Sequence, residues 1–177
     1  MKSRTVNILS WLIGAVLLVL IDQYTKILAV THLKGKPSYV IVEGVFELLY
    51  SENRGAAFGM LQGRQSFFFL IALVVLIGAG YAMYRMPGWN NRHYHGLKVC
   101  VILITAGAIG NMVDRISQGF VVDFLYFSLI NFPIFNVADI YVTTAAAVLF
   151  LLICFYYKEE DMEIFQWRKK DSQEEFK

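Results

Sequence analysis

A chain of 177 residues with 57% hydrophobic and 15% aromatic residues exceeds the roughly 45–50% apolar content of soluble domains, which excludes an ordinary soluble fold. The formal charge of +2 is too small to argue for any charged partner, and no nucleic-acid partner is expected. The composition is that of a mainly α integral membrane protein.

Four apolar runs, at about 8–28, 67–84, 97–112 and 135–157, come near the roughly 20 residues that an α-helix needs to cross the hydrocarbon core. The third is the shortest. Lys2 and Arg4 ahead of the first run imitate a signal-peptide n-region, but no small-x-small cleavage pattern follows, and Asp22 with Lys26 interrupts where it would stand. The first helix is therefore expected to be retained. Basic residues concentrate in the second connection (Arg85, Arg92, Lys98) and in the tail at 158–177. The third connection holds only Arg115, so the positive-inside rule places both termini in the cytoplasm.

Between the first two runs, residues 38–60 include a stretch from Tyr39 to Tyr50 rich in β-branched and aromatic side chains and punctuated by Gly44, which predicts a small extracytoplasmic β element. The third connection, Arg115 to Phe132, mixes Phe, Tyr, Leu and Ile with few charges and predicts a segment embedded at the membrane surface. The tail mixes both signs of charge and is expected to be a solvated juxtamembrane segment. With no internal repeat, low-complexity stretch or long linker, residues 1–177 read as one domain.

Cys100 and Cys154 lie in apolar runs with no CxxC partner, and the three histidines are scattered, so neither a disulfide nor a metal site is expected. H-E-x-x-H and G-x-S-x-G are absent. The polar residues inside the runs are the informative ones. Counted from the cytoplasmic ends, Asp22 and Asn111 each lie about fourteen residues up their helices, roughly 21 Å, and Asp139 counts out to a similar outer level. Within each run the polar residues share a side: Asp22 with Lys26, Asn111 with Asp114 and Arg115, Asn136 with Asp139.

Two readings compete for these residues. As helix ends at an interface, Asn and Asp cap while Lys26 and Arg115 snorkel. As a functional cluster, Asp22 with Lys26 and Asp114 with Arg115 form charge pairs that orient their neighbours. Asp123 and Asp139 have no basic neighbour in sequence, and intramembrane acids without dedicated cations point to function. Two carboxyls brought close cannot both ionise, so one keeps a proton as acid while the other activates water as base. The same acids would serve a small proton-coupled carrier, whose expected marks are repeats and broken helices, or a scaffold that binds a lipidated partner without chemistry.

Five segments resemble, in order, the motif blocks of bacterial lipoprotein signal peptidase, a family of membrane aspartic peptidases. They are Asp22-Gln23-Tyr24-Thr25-Lys26, Asn53-Arg54-Gly55-Ala56-Ala57-Phe58-Gly59, Gly110-Asn111-Met112-Val113-Asp114-Arg115, Val121-Val122-Asp123-Phe124 and Phe135-Asn136-Val137-Ala138-Asp139. The resemblance implies a four-helix enzyme of the bacterial cytoplasmic membrane with its active site near the extracytoplasmic face; a monomer without a cofactor is expected. Its partners would be membrane lipids and diacylglyceryl-modified prolipoproteins, cut just before the lipidated cysteine. By motif position it implies catalytic roles for Asp123 and Asp139. Asn53, Gly55, Asn111, Asp114, Arg115, Asn136 and Ala138 would shape the substrate site, and Asp22 with Lys26 would support the fold. The β element would correspond to a cradle and the segment after Arg115 to a surface flap.

Overall fold

The computed structural model describes residues 2–55 and 64–166. In chain order it contains α1 (Lys2–Leu33), β1 (Tyr39–Val42), β2 (Phe46–Asn53), α2 (Gln65–Arg85), α3 (His95–Gln118), β3 (Val121–Tyr126), α4 (Val137–Leu151) and α5 (Glu159–Met162). A five-residue π turn, Leu152–Tyr156, continues α4. Four helices are long and apolar enough to cross a membrane, and the large apolar side chains of α1 and α2, such as Leu17, Leu20, Ile27, Leu70, Val74 and Ile77, are turned outward.

The helices run past the bounds that the apolar runs predict. In α1 the polar residues Asp22 and Lys26 face inward, and in α3 Asn111, Asp114 and Arg115 do not end the helix, which continues to Gln118. A polar residue that finds a partner inside the bundle does not interrupt a helix, so the third span is not short. It ends at Gly119, whose left-handed conformation (φ 80°) lets its N–H bond the Arg115 carbonyl. The last turn of α2 stops at Met86, extended ahead of Pro87. Asn136, expected on a helix face, instead caps α4. Its side chain accepts from the Asp139 N–H while the Asp139 carboxylate accepts from the Asn136 N–H.

Where a small β element was expected over 38–60, Tyr39–Val42 and Phe46–Asn53 form two strands, and the sheet has a third. β3 comes from the connection between α3 and α4 and pairs antiparallel with β2, giving the order β1-β2-β3 with Ser51 opposite Asp123 and Asn53 opposite Val121. The first half of the segment expected as a surface flap is therefore bound into the sheet, with Val121, Val122, Asp123 and Phe124 buried and the cluster of Val122 and Phe124 packed on Ala29 and Leu33 at the C-terminal end of α1. A strand buried on both faces reads as a continuous apolar run without alternation, which is why the sequence does not separate it from an interfacial segment. Residues 127–132 carry the exposed Phe127, Leu129, Ile130 and Phe132.

Close approach of α3 to α4 and α1 depends on two glycines. A Cβ on Gly107 would lie 2.6 Å from the Ala138 carbonyl oxygen, and one on Gly110 would lie 2.5 Å from Asp22 Oδ2. Small residues let membrane helices bring their backbones together, and here they bring polar side chains together as well.

Candidate active site

Five elements, α1, α3, α4, β2 and β3, bring polar side chains to one connected cluster. From α1, Asp22 is fully buried and Lys26 nearly so; from α3, Asp114 is nearly so. The Lys26 ammonium uses all three donors: 2.9 Å to Asp22 Oδ2, 3.0 Å to Asp114 Oδ2 and 3.0 Å to Asn111 Oδ1. The pair expected between Asp114 and Arg115 does not form, because adjacent residues on a helix point in different directions. Asp114 pairs with Lys26 across the helix interface instead.

Asp123, on β3, and Asp139, in the first turn of α4, are held by amides. Asp123 Oδ2 accepts from Asn53 Nδ2 at 2.9 Å and its Oδ1 from Asn136 Nδ2 at 2.6 Å. Asp139 Oδ1 accepts from Asn111 Nδ2 at 2.8 Å and its Oδ2 from the Asn136 backbone N–H at 3.1 Å. Asn136 thus joins the two carboxyls, one through its side chain and one through its backbone. Its side-chain amide also donates to Asn111 Oδ1 at 3.1 Å. Among the described residues no cation pairs directly with either carboxyl. Burial pushes the Asp123 carboxyl up to about 7 from its ordinary 3.8; the charge of Asp139 adds to this, and the Asn53 and Asn136 amides oppose it.

Arg115 neither snorkels nor pairs with an acid. Its guanidinium donates to the Gly55 carbonyl at 3.2 Å and to the Asn111 carbonyl at 3.3 Å, and it lies over the Phe68 ring at 4.4 Å. Gly55 in turn donates its N–H to Asn53 Oδ1 at 3.0 Å. Arg115 therefore fixes the end of the Asn53–Gly55 segment beside the Asn53 amide that holds Asp123. Ala138, fully buried, contributes its backbone: its N–H donates to Asp22 Oδ1 at 2.9 Å.

All eleven residues singled out in the sequence join one connected cluster. Sequence reasoning passed over Gln23, which lies inside the first quoted motif and donates to Asp22, Asp114 and the Gly110 carbonyl, and Phe68, which carries no sequence signal. Ala56, Ala57, Phe58 and Gly59 of the second motif, and the tail beyond Gln166, lie outside the described residues. Among the described residues no three His, Cys, Asp or Glu side chains converge as metal ligands.

Comparison with known proteins points the same way. A family model described as signal peptidase (SPase) II matches residues 14–155. The chain is 43% identical to the lipoprotein signal peptidase of Caldanaerobacter subterraneus subsp. tengcongensis over 138 residues, covering 77% of this chain and 90% of that one. It is 42% identical to that of Brevibacillus brevis over 141 residues, covering 80% and 91%. A solved bacterial membrane enzyme superposes with a TM-score of 0.73 at 30% identity, covering 90% of this chain and 93% of that one. The chain is a multi-pass membrane protein that belongs to the signal peptidase (SPase) II family.

Proposed function

We propose that the chain is an aspartic endopeptidase that cleaves diacylglyceryl-modified prolipoproteins just before the lipidated cysteine, with Asp123 and Asp139 as its acid–base pair. The observation that carries this reading is the junction at Asn136, which holds one oxygen of each carboxyl. With its carboxyl raised to about 7, Asp123 still carries the proton in a substantial share of molecules near neutral pH, and we assign it the acid's role and Asp139 the carboxylate's. Asp139 takes a proton from water as the water oxygen attacks the scissile carbonyl carbon. Asp123 gives its proton to the carbonyl oxygen. In the second half Asp139 returns its proton to the amide nitrogen as the C–N bond breaks, and Asp123 recovers one from the diol as the new carboxyl forms.

The amides of Asn53, Asn111 and Asn136 orient the carboxyls without neutralising them, which a cation at the same distance would do. Arg115 and Gly55 shape the wall beside Asp123. Membership in a peptidase family leaves the proton-carrier alternative without support. We place the site at the extracytoplasmic face with both termini cytoplasmic, because Arg85, Arg92 and Lys158 flank the opposite ends of the spans, and we take the working unit to be a monomer in contact with membrane lipid.

The test is cleavage of a diacylglyceryl-modified prolipoprotein by purified protein. Asp123→Asn and Asp139→Asn are each expected to abolish product while the circular dichroism spectrum and Tm stay near those of the parent. Retained cleavage in either variant rejects the pair.

A further inference from the structure

Two buried carboxylates outside the proposed pair stand in parallel relation to it. Asp22 Oδ1 accepts the N–H of Ala138, the residue before Asp139, at 2.9 Å. Asp114 Oδ2 accepts the N–H of Val122, the residue before Asp123, at 3.1 Å. Each carboxylate thus grips the backbone one residue ahead of one member of the pair. What fixes the two grips relative to each other is a double bridge. Lys26 reaches both carboxylates at 2.9 and 3.0 Å. Gln23 Nε2 reaches Asp22 Oδ2 at 3.2 Å and Asp114 Oδ1 at 2.9 Å, and also the Gly110 carbonyl at 3.1 Å.

Two carboxyl groups share one Lys26 amine in a buried site, and buried polar groups are tolerated only where their remaining lone pairs find donors. Gln23 provides those donors without adding a cation that would lie close to the pair. It is a second link between the two carboxylates, so removing it leaves Asp22 and Asp114 joined to each other through Lys26 alone.

We propose that Gln23 is a positioning residue for peptide cleavage: by bridging Asp22 and Asp114 it sets the spacing of the Ala138–Asp139 and Val122–Asp123 backbones and hence of the two reacting carboxyls. This rests on the acid–base reading of Asp123 and Asp139. Because two close carboxyls share their proton according to their separation, a change in spacing moves the pH profile, which loss of packing alone does not.

Gln23→Met keeps the side-chain length and removes the donor; Gln23→Asn keeps the amide and withdraws it from Asp114. Both are assayed for kcat, KM, pH profile and Tm on lipidated prolipoprotein, beside Asp123→Asn and Asp139→Asn. For each Gln23 variant kcat is expected to fall roughly 10-fold with KM within about twofold, and the alkaline midpoint of the profile to move by about half a pH unit. If Gln23→Met does not fold, the profile of Gln23→Asn decides. Wild-type kcat and midpoint overturn the proposal, as does a fall in kcat that tracks a fall in Tm with the midpoint unmoved. Cleavage by Asp123→Asn or Asp139→Asn rejects the acid–base reading itself, whereas silent Asp variants with wild-type-like Gln23 variants reject only the bridge.

Discussion

At Asp123 the protonated form is favoured first by burial and then by the neighbouring charge of Asp139. The sign for stability follows from which state binds the proton. A carboxyl raised to about 7 in the folded protein and ordinary in the unfolded chain contributes stability at low pH that is lost as pH rises from the ordinary carboxylate range through about 7. The sign for activity is the same, because the acid is spent once Asp123 ionises. Cleavage is therefore expected to fall about tenfold per pH unit above the midpoint near 7, as for loss of one required proton. A pH profile of kcat/KM on a lipidated substrate checks this, and a flat profile from pH 6 to 9 would count against Asp123 as the acid. The acids were legible in the sequence because charges inside apolar runs are costly and rare. Their partners were not: Asp114 stands beside Arg115 in sequence yet pairs with Lys26 across the helix interface, and Asn136 acts through a cap and not through a helix face.

The helices were legible as elements because each is an apolar run of spanning length, and their ends were not, because polar residues satisfied inside the bundle look like interruptions. β3 was the hardest element to foresee: its pairing with β2 joins segments about seventy residues apart and depends on the bundle bringing them together. The contact that aligns α3 with α4 is Gly107, and here the glycines of the spans should part ways. A Cβ on Gly107 meets both the Ala138 carbonyl oxygen at 2.6 Å and Val142 Cγ2 at 2.5 Å, whereas one on Gly78 meets nothing within 4 Å. Gly107→Ala must push α4 away just before Asp139, and such overpacking costs about 1–3 kcal/mol. Gly78→Ala restricts only the unfolded chain and is expected to stabilise by up to about 1 kcal/mol. Thermal unfolding in detergent should separate the two in opposite directions, and Gly107→Ala should lose cleavage along with Tm. Equal shifts for both would mean that the α3–α4 approach is not set at Gly107.

The whole molecule is tied at both ends of its helices, and the two ties do different work. At one end the polar cluster joins α1, α3, α4 and β3. At the other, residues 158–166, beyond the family-matched region, lie across the ends of α2, α3 and α4 where a free solvated tail was expected. Met162, Ile164 and Phe165 pack on Met83, Met86, Tyr94, Leu97 and Tyr157. Tyr94 donates to the Asp161 carbonyl at 2.9 Å, Tyr81 to the Phe165 carbonyl at 3.0 Å and Arg85 to the Gln166 carbonyl at 2.9 Å. His93 adds a 2.9 Å contact to the Asp161 carboxylate. Tyr157 lies eighteen residues, about 27 Å of helix, from Asp139, so this end carries stability and leaves the chemistry alone. The double variant Ile164→Ala/Phe165→Ala removes half-buried side chains and should cost about 1–3 kcal/mol. Its Tm in detergent is expected to fall while kcat/KM, measured well below that Tm, stays within about twofold of the parent, since a residue that touches neither substrate nor reacting atoms leaves transition-state binding unchanged. An unchanged Tm would show that the segment folds and unfolds apart from the bundle. A drop in kcat/KM in the folded variant would show instead that the two ends are coupled through α4 and the π turn that continues it.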